Sequence, residues 1–188
     1  MSKKIIASLV AMVGIFHFGV ESATAATDGT LTLNSNITPA TCFVSSNNMG
    51  GNSGGAGLNQ TVVFDDLDSI VVNGLSAGSD AESAKPISFH VQGCPQEAAS
   101  ADVKFDYTED AANGTSYIVA TGGGKGISFA VSETQTGALL PTGGKLSGVI
   151  DPSTHDGDIG GFIRLLRNRD TVTSGPVTSM VNLALDYN

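Results

Sequence analysis

The chain has 188 residues, with 18 acidic against 9 basic side chains and a formal net charge of −9. That balance repels nucleic acid and anionic lipid, and no basic stripe exists on which a nucleic-acid partner would dock. The length suits one domain of ordinary size, and two cysteines allow at most one internal bridge.

The first element is an export signal. Lys3 and Lys4 precede an apolar run from Ile5 to Val20, and Glu21-Ser22-Ala23-Thr24-Ala25-Ala26 follows. A basic start, an apolar middle and an Ala-x-Ala end describe a secretory signal peptide over residues 1–25. Cleavage falls after Ala25, with Ala26 as the alternative. The run is short for a spanning helix, which needs about 20 apolar residues. Removal leaves 163 residues (188 − 25) and takes away Lys3, Lys4 and Glu21. The mature balance is then 7 basic against 17 acidic, a net of −10. In an exported chain the pair Cys42 and Cys94 reads as a disulfide. Its loop of about fifty residues contributes about 4 kcal/mol on chain-entropy grounds.

After the signal, short apolar or alternating runs are separated by turn residues, and no amphipathic helix is evident. This pattern predicts an all-β fold with two packed sheets. The expected strands are 30–44 (broken near Pro39), 61–64, 69–72, 87–92, 102–107, 116–120, 127–132, 148–150, 161–167 and 177–187. Residues 49–57 (MGGNSGGAG) read as a flexible loop, and 121–126 (TGGGKG) and 142–144 as tight connections.

The two ends carry the clearest period-two patterns. Gly29, Leu31, Leu33, Ser35 and Ile37 share one face, with Thr30, Thr32, Asn34 and Asn36 on the other. Near the C-terminus, Val177, Ser179, Val181, Leu183, Leu185 and Tyr187 share one face, opposite Thr178, Met180, Asn182, Ala184 and Asp186. Only Asn188 follows.

Catalytic and ligand motifs fail on context. Gly51-Asn52-Ser53-Gly54-Gly55 matches G-x-S-x-G literally but sits in a glycine-rich loop, without the strand and helix that a nucleophile elbow requires. His155-Asp156-Gly157-Asp158 lacks calcium-loop spacing, because Arg167 stands where a bidentate Glu is needed. Gly124-Lys125 and Gly144-Lys145 lack the upstream glycine and the following Ser or Thr of a phosphate loop. No catalytic residue, metal site or cofactor is expected. Asn36, Asn59 and Asn113 begin glycosylation sequons, relevant only in a eukaryotic secretory route.

The sequence resembles chaperone–usher fimbrial subunits of the type 1 pilin kind. The likeness rests on several features in order. An alternating segment follows the signal, then comes Ala40-Thr41-Cys42-Phe43-Val44. A second cysteine ends an alternating strand and precedes proline, in Ile87-Ser88-Phe89-His90-Val91-Gln92-Gly93-Cys94-Pro95. Gly175 is fourteenth from the end (188 − 175 + 1), and Tyr187 is penultimate. Family extension segments often carry glycine near the middle of the apolar face, where Ser35 stands here.

The resemblance implies an incomplete immunoglobulin-like β-sandwich, completed by a donor strand from a neighbouring subunit. Residues 26–37 would be the donor extension and 38–188 the pilin domain. Gly29, Leu31, Leu33, Ser35 and Ile37 would enter the neighbour's groove. A periplasmic chaperone would first occupy that groove, recognising Gly175, Val177, Val181, Leu183, Leu185 and Tyr187 and gripping the carboxylate of Asn188. An outer-membrane usher would then assemble identical or related subunits into a surface fimbrium that supports cell adhesion. A complete sandwich closed by its own N-terminal tail uses the same residues. The competing function is a secreted adhesin or carbohydrate-binding module, which the absence of Trp and the presence of only three Tyr disfavour.

Overall fold

The computed structural model describes residues 41–44, 53–54 and 58–188. The expected signal peptide, residues 1–25, and the expected donor residues Gly29, Leu31, Leu33, Ser35 and Ile37 lie outside the described residues.

Alternation decides the sheet faces. In β4 (Lys85–Gln92) Ile87, Phe89 and Val91 are buried while Ser88, His90 and Gln92 are not, as a two-residue side-chain period requires. This strand pairs antiparallel with β1 (Phe43–Val44) on one side and β9 (Gly157–Arg167) on the other. Strand β7 (Ile127–Ser132) pairs with the far edge of β9, so the order is β1-β4-β9-β7. A second sheet has the order β11-β5-β8, from β5 (Ser100–Asp106), β8 (Lys145–Val149) and β11 (Asn182–Tyr187). Ala101, Val103 and Phe105 of β5 point into the same core as β4. The Phe89 and Phe105 rings meet edge-on, 6.3 Å apart, one from each sheet.

The disulfide expected from the cysteine pair is present: Cys42 joins Cys94, 52 residues away. It ties the segment leading into β1 to the end of β4.

A smaller apolar cluster of Val72, Ile127 and Leu165 is flanked by half-buried Phe64, Leu67, Phe129, Val172 and Val177. Val72 reaches it from a helix, α1 (Ser69–Gly74), where the β-branched run predicted a strand. Asp68 explains the difference: its Oδ1 accepts from the Ile70 N–H at 2.8 Å, so it caps the helix N-terminus. One anchored residue per turn is enough for so short a helix, and Ile70 and Val71 face solvent.

Other expectations shift by a few residues. The strand expected at 61–64 narrows to β3 (Thr61–Val62), which pairs with β2 (Ser53–Gly54) inside the segment read as a loop. The strand expected at 116–120 reduces to Ile118, bridged to Glu109 and Phe129. Strands β8 and β9 begin earlier than expected, at Lys145 and Gly157.

Candidate functional site

The C-terminal run was expected to be one strand, and the structure breaks it in two. Strand β10 (Val177–Thr178) pairs antiparallel with β6 (Thr121–Gly122), whereas β11 pairs antiparallel with β5. Between them the chain passes from one pairing partner to the other. A strand that changes partner must interrupt its ladder. Here Ser179 Oγ donates to the Val119 carbonyl at 2.9 Å, and the Met180 side chain is fully in solvent.

The inward and outward faces survive the break. Val177, Ser179, Val181, Leu183 and Leu185 are half-buried, and Thr178, Met180, Asn182, Ala184 and Asp186 are exposed. Val177 serves the small cluster, while Val181, Leu183 and Leu185 lie against the main core. Tyr187, expected on the same inward face, is exposed at 37%, where the core beneath the strand ends.

Strand β11 is the terminal strand of its sheet, and among the described residues nothing pairs with its second edge. Its apolar side chains therefore cover the main core only in part. Cys42 and Val44, at the terminal strand of the other sheet, are likewise half-buried against that core. Unpaired main-chain groups beside partly covered apolar side chains are what an incoming strand recognises. No group of three or more metal-ligating residues occurs among the described residues.

Two devices hold the ends of the C-terminal run, β10 to β11, in place. At its far end, the Asn188 N–H donates to the Ser100 carbonyl at 3.0 Å, and the Asn188 main-chain oxygen accepts from Ala99 N at 2.7 Å and Ser100 N at 3.1 Å. The Asn188 side-chain amide donates to Asp102 Oδ2 at 3.3 Å, and Lys145 Nζ donates to the same oxygen at 2.5 Å. Asp102 is buried on the outer side of β5. The Lys145 ammonium, with the Ser147 hydroxyl, holds its carboxyl below the usual range against the opposing effect of burial.

At the near end, Gly175 adopts φ +147° and lies flat against the peptide joining Gly123 and Gly124. Gly124 N donates to the Pro176 carbonyl at 3.1 Å, so the glycine-rich connection and the Gly175–Val177 segment interlock. The signal for this contact is the run Gly122-Gly123-Gly124, whose composition by itself predicts only a tight connection. The partner of Asp102 left no comparable trace, since Lys145 and Asn188 are each more than forty residues away.

A family model described as "Fimbrial protein" matches residues 31–188. Among solved structures, the P pilus rod subunit PapA is similar at a TM-score of 0.58 and 14% identity, covering 85% of this chain and 100% of its own. At that identity the likeness is one of fold. No curated protein matches the chain.

Proposed function

The chain belongs to the fimbrial protein family, and from that premise we propose that it polymerises by strand exchange at the open edge of β11. It is a structural subunit of a surface pilus, built on an incomplete immunoglobulin-like β-sandwich, and not an enzyme. It assembles with other pilus subunits.

The observation that carries the mechanism is that, among the described residues, nothing pairs with the second edge of β11, where Val181, Leu183 and Leu185 only half cover the main core. A strand from a neighbour would pair with that edge and bury apolar side chains against it. Residues 26–37 supply the complementary pattern: Leu31, Leu33 and Ile37 on one face, with Gly29 and Ser35 as the small members. Each fully buried large side chain is worth about 1.5–3 kcal/mol, and each main-chain hydrogen bond roughly 0.5–1.5 kcal/mol. Ordering the tail costs roughly 1–2 kcal/mol per residue, so the contact energy alone is modest. Durability then comes from slow release of a strand threaded through a closed core.

In this reading residues 1–25 direct export and are removed, residues 26–37 are the donor, and 38–188 form the pilin domain. An open edge over apolar core invites aggregation, which calls for a periplasmic chaperone that occupies it until assembly. The chaperone would lie along Val177, Val181, Leu183, Leu185 and Tyr187, use the turn at Gly175, and take the terminal carboxylate on Asn188. An outer-membrane usher would then pass the subunit to the growing fibre, and the finished fibre would support adhesion.

Deletion of residues 26–36 tests the mechanism. The truncated subunit is expected to accumulate with chaperone and to give no fibre extension in electron micrographs. A truncated subunit that still polymerises would overturn strand exchange.

A further inference from the structure

The chain contains two Asn-Gly dipeptides, Asn73-Gly74 and Asn113-Gly114, and the fold treats them in opposite ways. We propose that Asn73 is a site of spontaneous deamidation in the folded protein and that Asn113 is protected. The inference rests on the fold alone and is independent of the assembly reading.

The chemistry needs only water. The main-chain nitrogen of the following residue attacks the asparagine Cγ, and a new C–N bond closes a five-membered succinimide. The side-chain nitrogen leaves as ammonia, carrying the proton lost by the attacking amide. Water then opens either carbonyl of the ring, giving Asp or its β-linked isomer, with no change of oxidation state. Glycine on the C-terminal side favours the step, because it places no β-carbon beside the attacking nitrogen and its backbone is the least restricted. Asparagine is accordingly among the thermolabile residues.

Asn113 cannot reach this geometry without local opening. It is 8% exposed. Its Nδ2 donates to Asp110 Oδ2 at 2.8 Å, and its Oδ1 accepts from Arg169 N at 2.6 Å. The would-be nucleophile, Gly114 N, donates to the Asp110 carbonyl at 3.0 Å. Asp110 is itself tied to Ser128 Oγ at 2.8 Å, and that hydroxyl accepts from Asn168 Nδ2 at 2.9 Å. Attacking and leaving groups are therefore both held by one network that spans the 108–118 segment, β7 and the end of β9.

Asn73 is exposed in the last turn of α1, and Gly74 is exposed beside it. A β-carbon on Gly74 would meet nothing outside its own helix within 4 Å, so only the last helical turn has to fray for the ring to form. Conversion adds one negative charge to a chain already at −9. It also places that charge at a helix C-terminus, where the dipole disfavours it. The affected helix is the one that carries Val72 into the small apolar cluster.

The test is ageing of the full-length purified protein in mildly alkaline buffer, followed by peptide mass spectrometry and isoaspartate detection. In the folded protein, product at residue 73 should form about tenfold or more faster than at 113, the factor that ~1.4 kcal/mol of protective opening energy imposes. In urea the two rates should converge. Gly74→Ala should suppress product at 73, leave 113 as it was, and preserve the melting temperature. Equal rates in the folded protein, a faster reaction at 113, or an unchanged rate at 73 in Gly74→Ala would each overturn the inference.

Discussion

A β-carbon on Gly175 would stand 2.6 Å from the main-chain nitrogen of Gly124, closer than side chains approach backbone in folded proteins. The contact works in both directions, since a β-carbon on Gly124 would lie 2.5 Å from the Gly175 carbonyl oxygen. Two glycines far apart in sequence thus let the β6 connection lie flat on the segment that leads into β10.

Gly175→Ala is expected to destabilise the domain by about 1–3 kcal/mol, through its left-handed backbone and the collision with Gly124. Gly123→Ala is the control, because its β-carbon would meet Pro176 Cδ at 3.7 Å, an ordinary contact. Denaturant midpoints of the two variants measure the difference. Equal midpoints would remove the interlock from the account of Gly175.

Asp102 links stability to acid. Its folded carboxyl lies below the ordinary value because of Lys145, so the stability it adds is full above the unfolded-state pKa. That contribution disappears as pH falls from the ordinary carboxylate range through the lowered value. Asp102→Asn should cost roughly 1.5–3 kcal/mol at neutral pH, the range for hydrogen bonds to charged groups. It should also flatten the acid limb of a stability–pH curve. Hydrogen exchange at 182–188 should quicken in the same variant, because Asn188 loses its charged side-chain acceptor.

Arg164 clamps three segments. Its Nε and Nη2 donate to the two carboxylate oxygens of Asp80 at 2.8 Å each, and Nη1 donates to the Gly137 carbonyl at 3.1 Å. Asp80 bridges to β9 at Leu166, so the fork pins the 76–84 loop to that strand. Lysine cannot reproduce the fork. Arg164→Lys should lower stability by about 1 kcal/mol, since Asp80 is partly exposed and screening limits the gain. A double-mutant cycle with Asp80→Asn should return a coupling of similar size.

The two faces of β11 should separate in an assembly assay. Leu183→Asp would bring an unpaired charge to the groove, at a cost of several kcal/mol once a donor strand covers it. Fibre yield should fall sharply relative to the periplasmic pool. Ala184→Asp, on the exposed face, should leave yield near the parent level. Equal yields would count against this edge as the docking site.

Replacing Cys42 and Cys94 with serine opens a loop closed across 52 residues. The expected loss is about 4 kcal/mol on the chain-entropy model. Thermal unfolding with and without reductant, compared with the double variant, checks it.

The all-β class was legible because side-chain alternation is a local property. β4 needed only Ile87, Phe89 and Val91 at every second position to declare its inner face. The cysteine pair was legible because a chain with two cysteines has one internal pairing. The helix α1 was not: Ile70, Val71 and Val72 favour a strand by propensity, and one aspartate cap with one buried valine reversed the outcome. Nor was the break at Ser179–Val181, because the alternation runs through it undisturbed.

Period, spacing and composition were enough to determine a two-sheet domain whose C-terminal strand turns Leu183 and Leu185 inward. Only the tertiary structure decided that β11 ends its sheet among the described residues, that Gly175 meets Gly124, and that Asp102 holds both Lys145 and Asn188. The reason is physical. Which way a side chain points follows from its neighbours in the chain, whereas which strand lies alongside depends on closing loops of many tens of residues. Several closures cost nearly the same entropy, so packing of the whole core selects among them.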